Sequence, residues 1–390
     1  MAQTAAQHGI TAHTEGAWDA TPIQTRSERF TSAEVADFAE VSGLESVWKF
    51  TPVKELQDLF NSELDGSRDN ISVDASAGVK VAWVPVATSN RGVAGLPEER
   101  GAANAWSRAE EVLEAHITGE NQTLTLSRSA LDKLPRAAHT VITAAPHASG
   151  IIVLRNTGDA QLSENVEIVL GDGADLTVVS VQQWSNDAKH LSSHYASVGR
   201  DASLKHIVVS LGGAIVRVNP SIHLNAEGGS IDALGAYFST SGQHIEQQVY
   251  IDHDAPHTRS RVTYKGALRG EGARSVWIGD VLIRQSATGT DSYEQNRNLV
   301  LSDGTRADSI PNLEIETGDI AGAGHASATG RFDDEQLFYL MARGITEEEA
   351  RRLVVRGFLL EVINQIGDDS LEDELRVAIE EAIESDLSNS

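Results

Sequence analysis

Hydrophobic and polar positions alternate with period two through the middle of the chain and take a helical period near its end. From about Gly119, short apolar-alternating runs follow one another: Leu124–Leu126, Ile151–Leu154, Val166–Leu170, Leu176–Val179, Leu204–Val209, Ile222–Leu224, Gln247–Ile251, Val276–Ile278 and Val281–Ile283. Gly, Asp, Asn and Ser separate them, as turns separate strands. No helix-length apolar period intervenes until near the end, so an alternating βαβ sheet is excluded. A turn pattern recurs at Gly173-Ala-Asp-Leu176, Asp201-Ala-Ser-Leu204 and Gly228-Gly-Ser-Ile231, with anchors 28 and 27 residues apart. That interval suits one coil of a solenoid of stacked strands. A β-sandwich also yields short strands; the repeat favours a parallel β-helix.

The flanks read differently. Residues 1 to about 30 are polar and without periodicity, a loose lead-in. Ser32 to Gly43 predicts a helix with Val35, Phe38 and Ala39 on one side. Thr51-Pro52 predicts an N-cap and first-turn proline ahead of Leu56, Leu59 and Phe60. Val79–Val86 predicts a strand that Pro85 confines to an edge or an end. Ala102 to Ala115 predicts a helix with Trp106, Ala109, Val112 and Leu113 on one face. Beyond 330, Asp333 opens a helix through Leu337 and Met341 that Gly344 ends. Thr346-Glu-Glu-Glu349 is a capping box. It opens a helix to Ile366 whose apolar positions are wider than one stripe, so it should meet both its own domain and something else. A last, acidic helix begins at Ser370. The predicted organisation is a lead-in (1–30), a mostly helical domain (31–118), a strand core (119–330) and a helical domain (331–390).

The formal net charge of −26 argues against nucleic acid as a ligand, because phosphate binding needs a basic face. There is no cysteine, which excludes disulfides and any thiolate metal site built by this chain alone. No Lys or Arg precedes Arg26 and no apolar run accompanies it, so the start does not read as a signal peptide. Nor is there an apolar stretch of about 18 residues to span a membrane. These features predict a cytoplasmic protein.

Candidate chemistry is sparse. No Gly-x-x-x-x-Gly-Lys-Ser/Thr loop is present, so the chain should not hydrolyse ATP, and no Gly-x-Ser-x-Gly elbow is present either. His190 and His194 on a strand would lie about 13 Å apart, too far to share an ion. His253 and His257 lie in a turn, Asp252-His-Asp-Ala-Pro-His257, that could bring them closer, but they read better as structural polar residues at a strand end. His325 stands alone within Gly318-Asp-Ile-Ala-Gly-Ala-Gly-His-Ala-Ser-Ala-Thr-Gly330. Its small neighbours leave room for another backbone, a metal or a partner; a tight turn at a solenoid end explains them as well.

Ordered motifs surround that histidine. Tyr293-Glu-Gln-Asn-Arg-Asn-Leu-Val-Leu-Ser302, Pro311-Asn-Leu-Glu-Ile-Glu316, His325-Ala-Ser-Ala-Thr-Gly330, Asp333-Asp-Glu-Gln-Leu-Phe-Tyr-Leu-Met-Ala-Arg-Gly-Ile345 and Ala350-Arg-Arg-Leu-Val-Val-Arg-Gly-Phe358 follow in sequence. With Trp48-Lys-Phe-Thr-Pro52 and Tyr264-Lys-Gly266, they resemble the SufB/SufD family of the Suf iron–sulfur cluster assembly system, from about residue 45 to 366. The cysteine-free chain looks most like the SufD branch. The resemblance implies a mainly β fold: a right-handed parallel β-helix core flanked by N-terminal and C-terminal helical domains. It implies a non-enzymatic scaffold that pairs with a SufB-like paralogue through the β-helix end, a homodimer being the other pairing it allows. It implies docking of a SufC-like ABC ATPase on the C-terminal helices, around Arg343, Gly344, Arg351, Leu353, Val354, Gly357 and Phe358. His325 would be an iron or cluster co-ligand at the SufB interface, with no cofactor held firmly by this chain and any iron–sulfur cluster shared with a partner. Gly322-Ala-Gly324 stands where some relatives carry a cysteine. The alternative is a β-helix lyase or hydrolase of acidic polysaccharide, which the acidic charge and the lack of an export signal count against; a self-pairing structural β-helix is a third reading.

Overall fold

The computed structural model describes residues 29–129, 131–331 and 334–388. Most of the expected lead-in, residues 1–28, and the expected helix start at Asp333 lie outside them. In chain order the strands are β1 (Ile71–Ala75), β2 (Val79–Pro85), β3 (Glu111–Ile117), β4 (Gln122–Ser129), β5 (Pro135–Ala144) and β6 (Ser149–Gly158). Then come β7 (Gln161–Leu170), β8 (Asp175–Trp184), β9 (Lys189–Val198), β10 (Ser203–Ser210), β11 (Ile215–Leu224) and β12 (Ser230–Ser239). The series ends with β13 (His244–His253), β14 (Arg259–Leu268), β15 (Arg274–Ile283), β16 (Thr290–Val300), β17 (Arg306–Ile315) and β18 (Ile320–Arg331). Helices are α1 (Gln57–Asn61), α2 (Arg100–Arg108), α3 (Asp334–Met341), α4 (Glu347–Ile363) and α5 (Asp369–Ser388).

From β3 onward the chain alternates between two sheets, odd strands in one and even strands in the other. Like-numbered neighbours run parallel and in register, as a solenoid requires. The repeat read from the sequence is this coil: Leu176 pairs with Leu204, and Leu204 with Ile231. The turn residue of that repeat is a corner in the left-handed conformation. Gly173, Asp201 and Gly228 have φ of 67°, 53° and 75°, and His147, His257 and Gly289 take the same conformation. Each corner amide donates to a carbonyl of the next coil, as from His147 to Asp172, Asp201 to Glu227 and His257 to Thr288. Glycine, Asp and His tolerate that conformation, whereas β-branched residues do not.

The interior between the sheets is apolar along stacked columns that include Leu124, Ile152, Leu176, Leu204 and Ile231. The outer faces are covered differently. On the even sheet, Val179, Val181, Ile207, Val209, Leu234 and Phe238 meet Val355, Leu359, Ile363, Leu375 and Ile379 of α4 and α5. On the odd sheet, α2 packs on β5, β7 and β9, and Leu191 and Ile215 bury Trp48, Leu56, Leu59 and Phe60.

The two ends of the solenoid are unlike. At the first, β1 and β2 lie antiparallel along β4 and β3, one on each sheet. Pro85 ends β2 on that edge, as expected. At the other end, β17 and β18 each terminate a sheet with a parallel strand that has one strand neighbour.

The β-solenoid between helical flanks is the architecture expected, but the N-terminal flank is less helical than its pattern predicts. The expected helix from Ala102 to Ala115 stops at Arg108, and Glu111–Ile117 is β3. Leu113, Ala115 and Ile117 alternate into the solenoid interior, so period two wins over a helical spacing once a sheet edge offers pairing. The helix expected after Ser32 is a single 3₁₀ turn, Val35–Asp37. The Ser32 hydroxyl donates to Asp37 at 2.6 Å and accepts the Glu34 amide, local bonds that compete with a helix. Thr51 does not cap a helix either: its hydroxyl donates to the buried Glu246 carboxylate at 2.9 Å. Arg29, in the expected loose lead-in, is pinned by Glu98 and Asp280, each at 2.8 Å, over the Tyr250 ring.

Candidate functional site

His325 lies in mid-strand on β18, not in the turn its glycines suggested. β18 pairs with β16 along almost its whole length, with Glu294 opposite His325. Gly322, Gly324 and Gly330 need no left-handed backbone there. Alternation divides the motif between two faces. Ala323, His325, Ser327 and Thr329 stand over the interior positions Ser292, Glu294, Asn296 and Asn298. Gly322, Gly324, Ala326, Ala328 and Gly330 take the outer face, an almost side-chain-free strip beside a free strand edge. The His325 ring is exposed and has no hydrogen-bond partner among the described residues. Ser327 donates across the open end to Ser309 of β17 at 2.8 Å.

One coil below His325, Glu294 is 1% exposed, and both its carboxyl oxygens are buried without a partner. Burial, then the charge of Asp280, pushes its pKa up to about 8. The carboxyl occupies the space above Gly279, where a Cβ would collide with it and with the Trp277 ring.

The other histidine pairs are structural. His190 bonds Glu164 at 2.9 Å and Gln182 at 3.0 Å. His194 bonds His206 at 2.8 Å and Ser192 at 2.9 Å, and burial holds its pKa down to about 4. His253 and His257 part company: His253 bonds Thr258 and Ser260 inside the solenoid, while exposed His257 is a corner. Among the described residues no three His, Cys, Asp or Glu side chains are grouped to hold a metal.

The expected ATPase-docking residues sort by face. The buried side of α4 is Ala350, Val355, Leu359, Leu360, Val362 and Ile363. Leu353 and Gly357 are exposed, Val354 is half-buried, and Phe358 packs toward the even sheet under the Lys265 ammonium, 4.8 Å from its ring centre. Gly344 ends the α3 region at φ 87°. Arg343 stacks over Tyr339 at 4.6 Å. Arg351 pairs with Glu347 at 2.8 Å and lines a cleft of about 630 Å³ between α4, α5 and the solenoid. Sequence reasoning missed the exposed apolar side chains of α3: Phe338 (73% exposed), Tyr339 and Met341 join Leu353 of α4 as exposed large hydrophobics. It also missed Glu294, whose signal was its 31-residue distance from His325, close to one coil. No helix among the described residues is long and apolar enough to cross a membrane.

Comparison with known proteins places these features in a lineage. The family model described as SUF system FeS cluster assembly, SufBD core domain, matches residues 128–358. An iron–sulfur cluster assembly SufBD family protein of Mycobacterium leprae is 42% identical over 362 residues, covering 90% of this chain and 92% of its own. One from Mycobacterium bovis is 41% identical over 387 residues, with 96% of both chains covered. A second SufBD family protein of M. bovis is 29% identical over 208 residues, 53% of this chain and 24% of its own.

Proposed function

This chain belongs to the SufBD family of iron–sulfur cluster assembly proteins, and from that premise we propose that it is a SufD-like, non-enzymatic, cytoplasmic scaffold subunit of an assembly complex. The observation that carries this reading is the asymmetry of the solenoid. One end carries antiparallel strands; the other presents two parallel strand edges with His325 in its mouth. A SufB-like paralogue, itself built of parallel coils, would extend both sheets there. The presence of two distinct SufBD proteins in M. bovis supports a paralogue as the partner.

The iron–sulfur cluster is cargo in this scheme. Clusters are held chiefly by thiolates, with imidazole an occasional substitute. A chain without cysteine contributes nitrogen or oxygen donors to a site whose sulfur comes from the partner, and His325 is an exposed nitrogen donor at that end. The ATPase would dock on the patch formed by Phe338, Tyr339, Met341 and Leu353, with Arg343 and Arg351 at its border. Its closure would pass through α4, which is fixed to the even sheet, and strain the paired edges. The test is co-purification with a cysteine-bearing paralogue and an ABC ATPase, followed by cluster reconstitution with His325→Ala. The variant should assemble normally and yield less cluster; wild-type yield would remove His325 from the site, and isolation as a lone chain would remove the scaffold reading.

A further inference from the structure

Where β12, β14 and β16 end, the packing of α4 and α5 on the even sheet leaves a cleft of about 630 Å³. Its apolar wall is Phe238 of β12, Leu301 just after β16, Val355 of α4 and Ile383 of α5. Three of these belong to the buried cluster that joins helices to sheet, and Leu301 packs against it. The cleft therefore interrupts a hydrophobic seam. A volume of about 300–1,000 Å³ with an apolar wall and a few placed polar groups is that of a small-molecule site.

The polar groups decide the charge of what fits. In a chain of net charge −26, three arginines, Arg269, Arg351 and Arg352, line this one cleft. The two acids beside them, Glu347 and Glu348, are exposed side chains at the start of α4. Arg351 pairs with Glu347 at 2.8 Å, and Arg352 with Glu349 and Glu384 at 2.6 Å each. Exposed pairs of this kind are weak, so a bound anion displaces them readily. The first turn of α4 adds to the field. Thr346 caps the Glu349 amide, while the amides of Glu347 and Glu348 have no acceptor among the described residues. Unsatisfied amides at the positive end of a 17-residue helix attract negative charge. Ser302 accepts the Gly270 amide at 2.7 Å and keeps its hydroxyl hydrogen to donate.

We propose that this cleft binds a small organic anion. Its apolar body, aromatic or aliphatic, lies against Phe238, Leu301, Val355 and Ile383. Its carboxylate, sulfonate or phosphate head faces the arginines and the start of α4. The site is independent of the assembly role proposed above. A ligand seated there touches α4, α5 and the solenoid together, so occupancy braces the helices on the sheet.

The test titrates the full chain with two fluorescent probes that share nearly the same apolar body, anionic anilinonaphthalene sulfonate and neutral phenylnaphthylamine. The sulfonate should bind saturably at one equivalent and raise the melting temperature, as a ligand of the folded state must. The neutral probe should bind at least tenfold more weakly. Arg351→Gln combined with Arg352→Gln should weaken the sulfonate at least tenfold and leave the neutral probe unchanged, which a merely loosened helix would not do. Leu301→Trp, which fills the cleft, should weaken both probes. Arg200→Gln, in an exposed pair with Glu227 on a solenoid corner, should weaken neither. Equal affinity for the two probes would overturn the anionic head. Sulfonate binding that fails to saturate, lowers the melting temperature or survives in a folded Leu301→Trp would overturn the site. Should Leu301→Trp fail to fold, the arginine double variant decides alone: undiminished sulfonate binding there overturns the proposal.

Discussion

Arg217 donates its Nε to Glu246 at 3.0 Å between adjacent strands β11 and β13, and both side chains are sealed from solvent. The same guanidinium pairs with Glu99, donates to the Val47 carbonyl at 3.0 Å and lies 3.9 Å from the Trp48 ring centre. The N-terminal segment is thereby tied to the odd sheet by one cation. Removing a buried cation leaves its carboxylates uncompensated, which costs about 3–5 kcal/mol. Arg217→Met should lose stability on that order in urea unfolding, and adding Glu246→Gln should recover part of it.

Acid should destabilise the protein in two stages. Burial lowers His194 and His253 to about 4 in the folded state, below the ordinary histidine value of about 6.5. Below that value the unfolded chain takes protons that the folded chain refuses. Stability is therefore full above about pH 6.5 and falls by up to about 1.4 kcal/mol per pH unit per histidine as pH drops toward 4. Although burial opposes ionisation, Arg217 and His244 hold Glu246 down to about 2, so its contribution is present above pH 4.5 and lost as pH falls further. Urea midpoints measured from pH 7.5 to 3 should decline from the first stage onward; a flat curve between 6.5 and 4.5 would contradict the buried neutral histidines.

The two sides of α4 should respond differently to substitution. Leu359 is fully buried against the even sheet, so Leu359→Ala should cost about 2–5 kcal/mol. Phe338→Glu and Leu353→Glu, on the exposed patch, should leave the melting temperature within a degree or two of wild type. They should lower affinity for the proposed ATPase partner at least tenfold, measured by calorimetry with the isolated ATPase.

Pairing through the open end can be separated from general stickiness. Ser327→Lys and Ala323→Lys place ammonium groups in the mouth between β17 and β18, and should abolish co-elution with the paralogue. Val73→Lys, on the exposed face of β1 at the opposite end, should leave co-elution unchanged. Equal loss from both ends would mean that the strand edge is not the interface.

The coil was legible in the sequence because stacking imposes its own period: Leu176, Leu204 and Ile231 recur at the interval that places them in one column. The C-terminal helices were legible through the capping box, where Thr346 accepts the Glu349 amide at 3.3 Å. What local pattern could not supply was competition from distant partners. Thr51 leaves its helix for Glu246, 195 residues away, and residues 111–117 leave a helical spacing for a sheet edge. The candidate site was half legible. His325 stood out by its small neighbours, yet those residues mark a bare strand rather than a turn. Glu294 carries no local signal at all, because its burial arises only from the strands stacked around it.

The unlike ends of the solenoid give the molecule a polarity: only the β17–β18 end offers parallel strands at the edge of both sheets. A rod with two equivalent ends adds units at both and grows into a fibre, whereas a rod with one receptive end stops after a single union. Two such ends meeting face to face use up every free parallel edge, whether the second belongs to a paralogue or to another copy. The antiparallel strands β1 and β2 break that parallel register at the opposite end, so a parallel coil that continues both sheets in register fits the β17–β18 end and not the other.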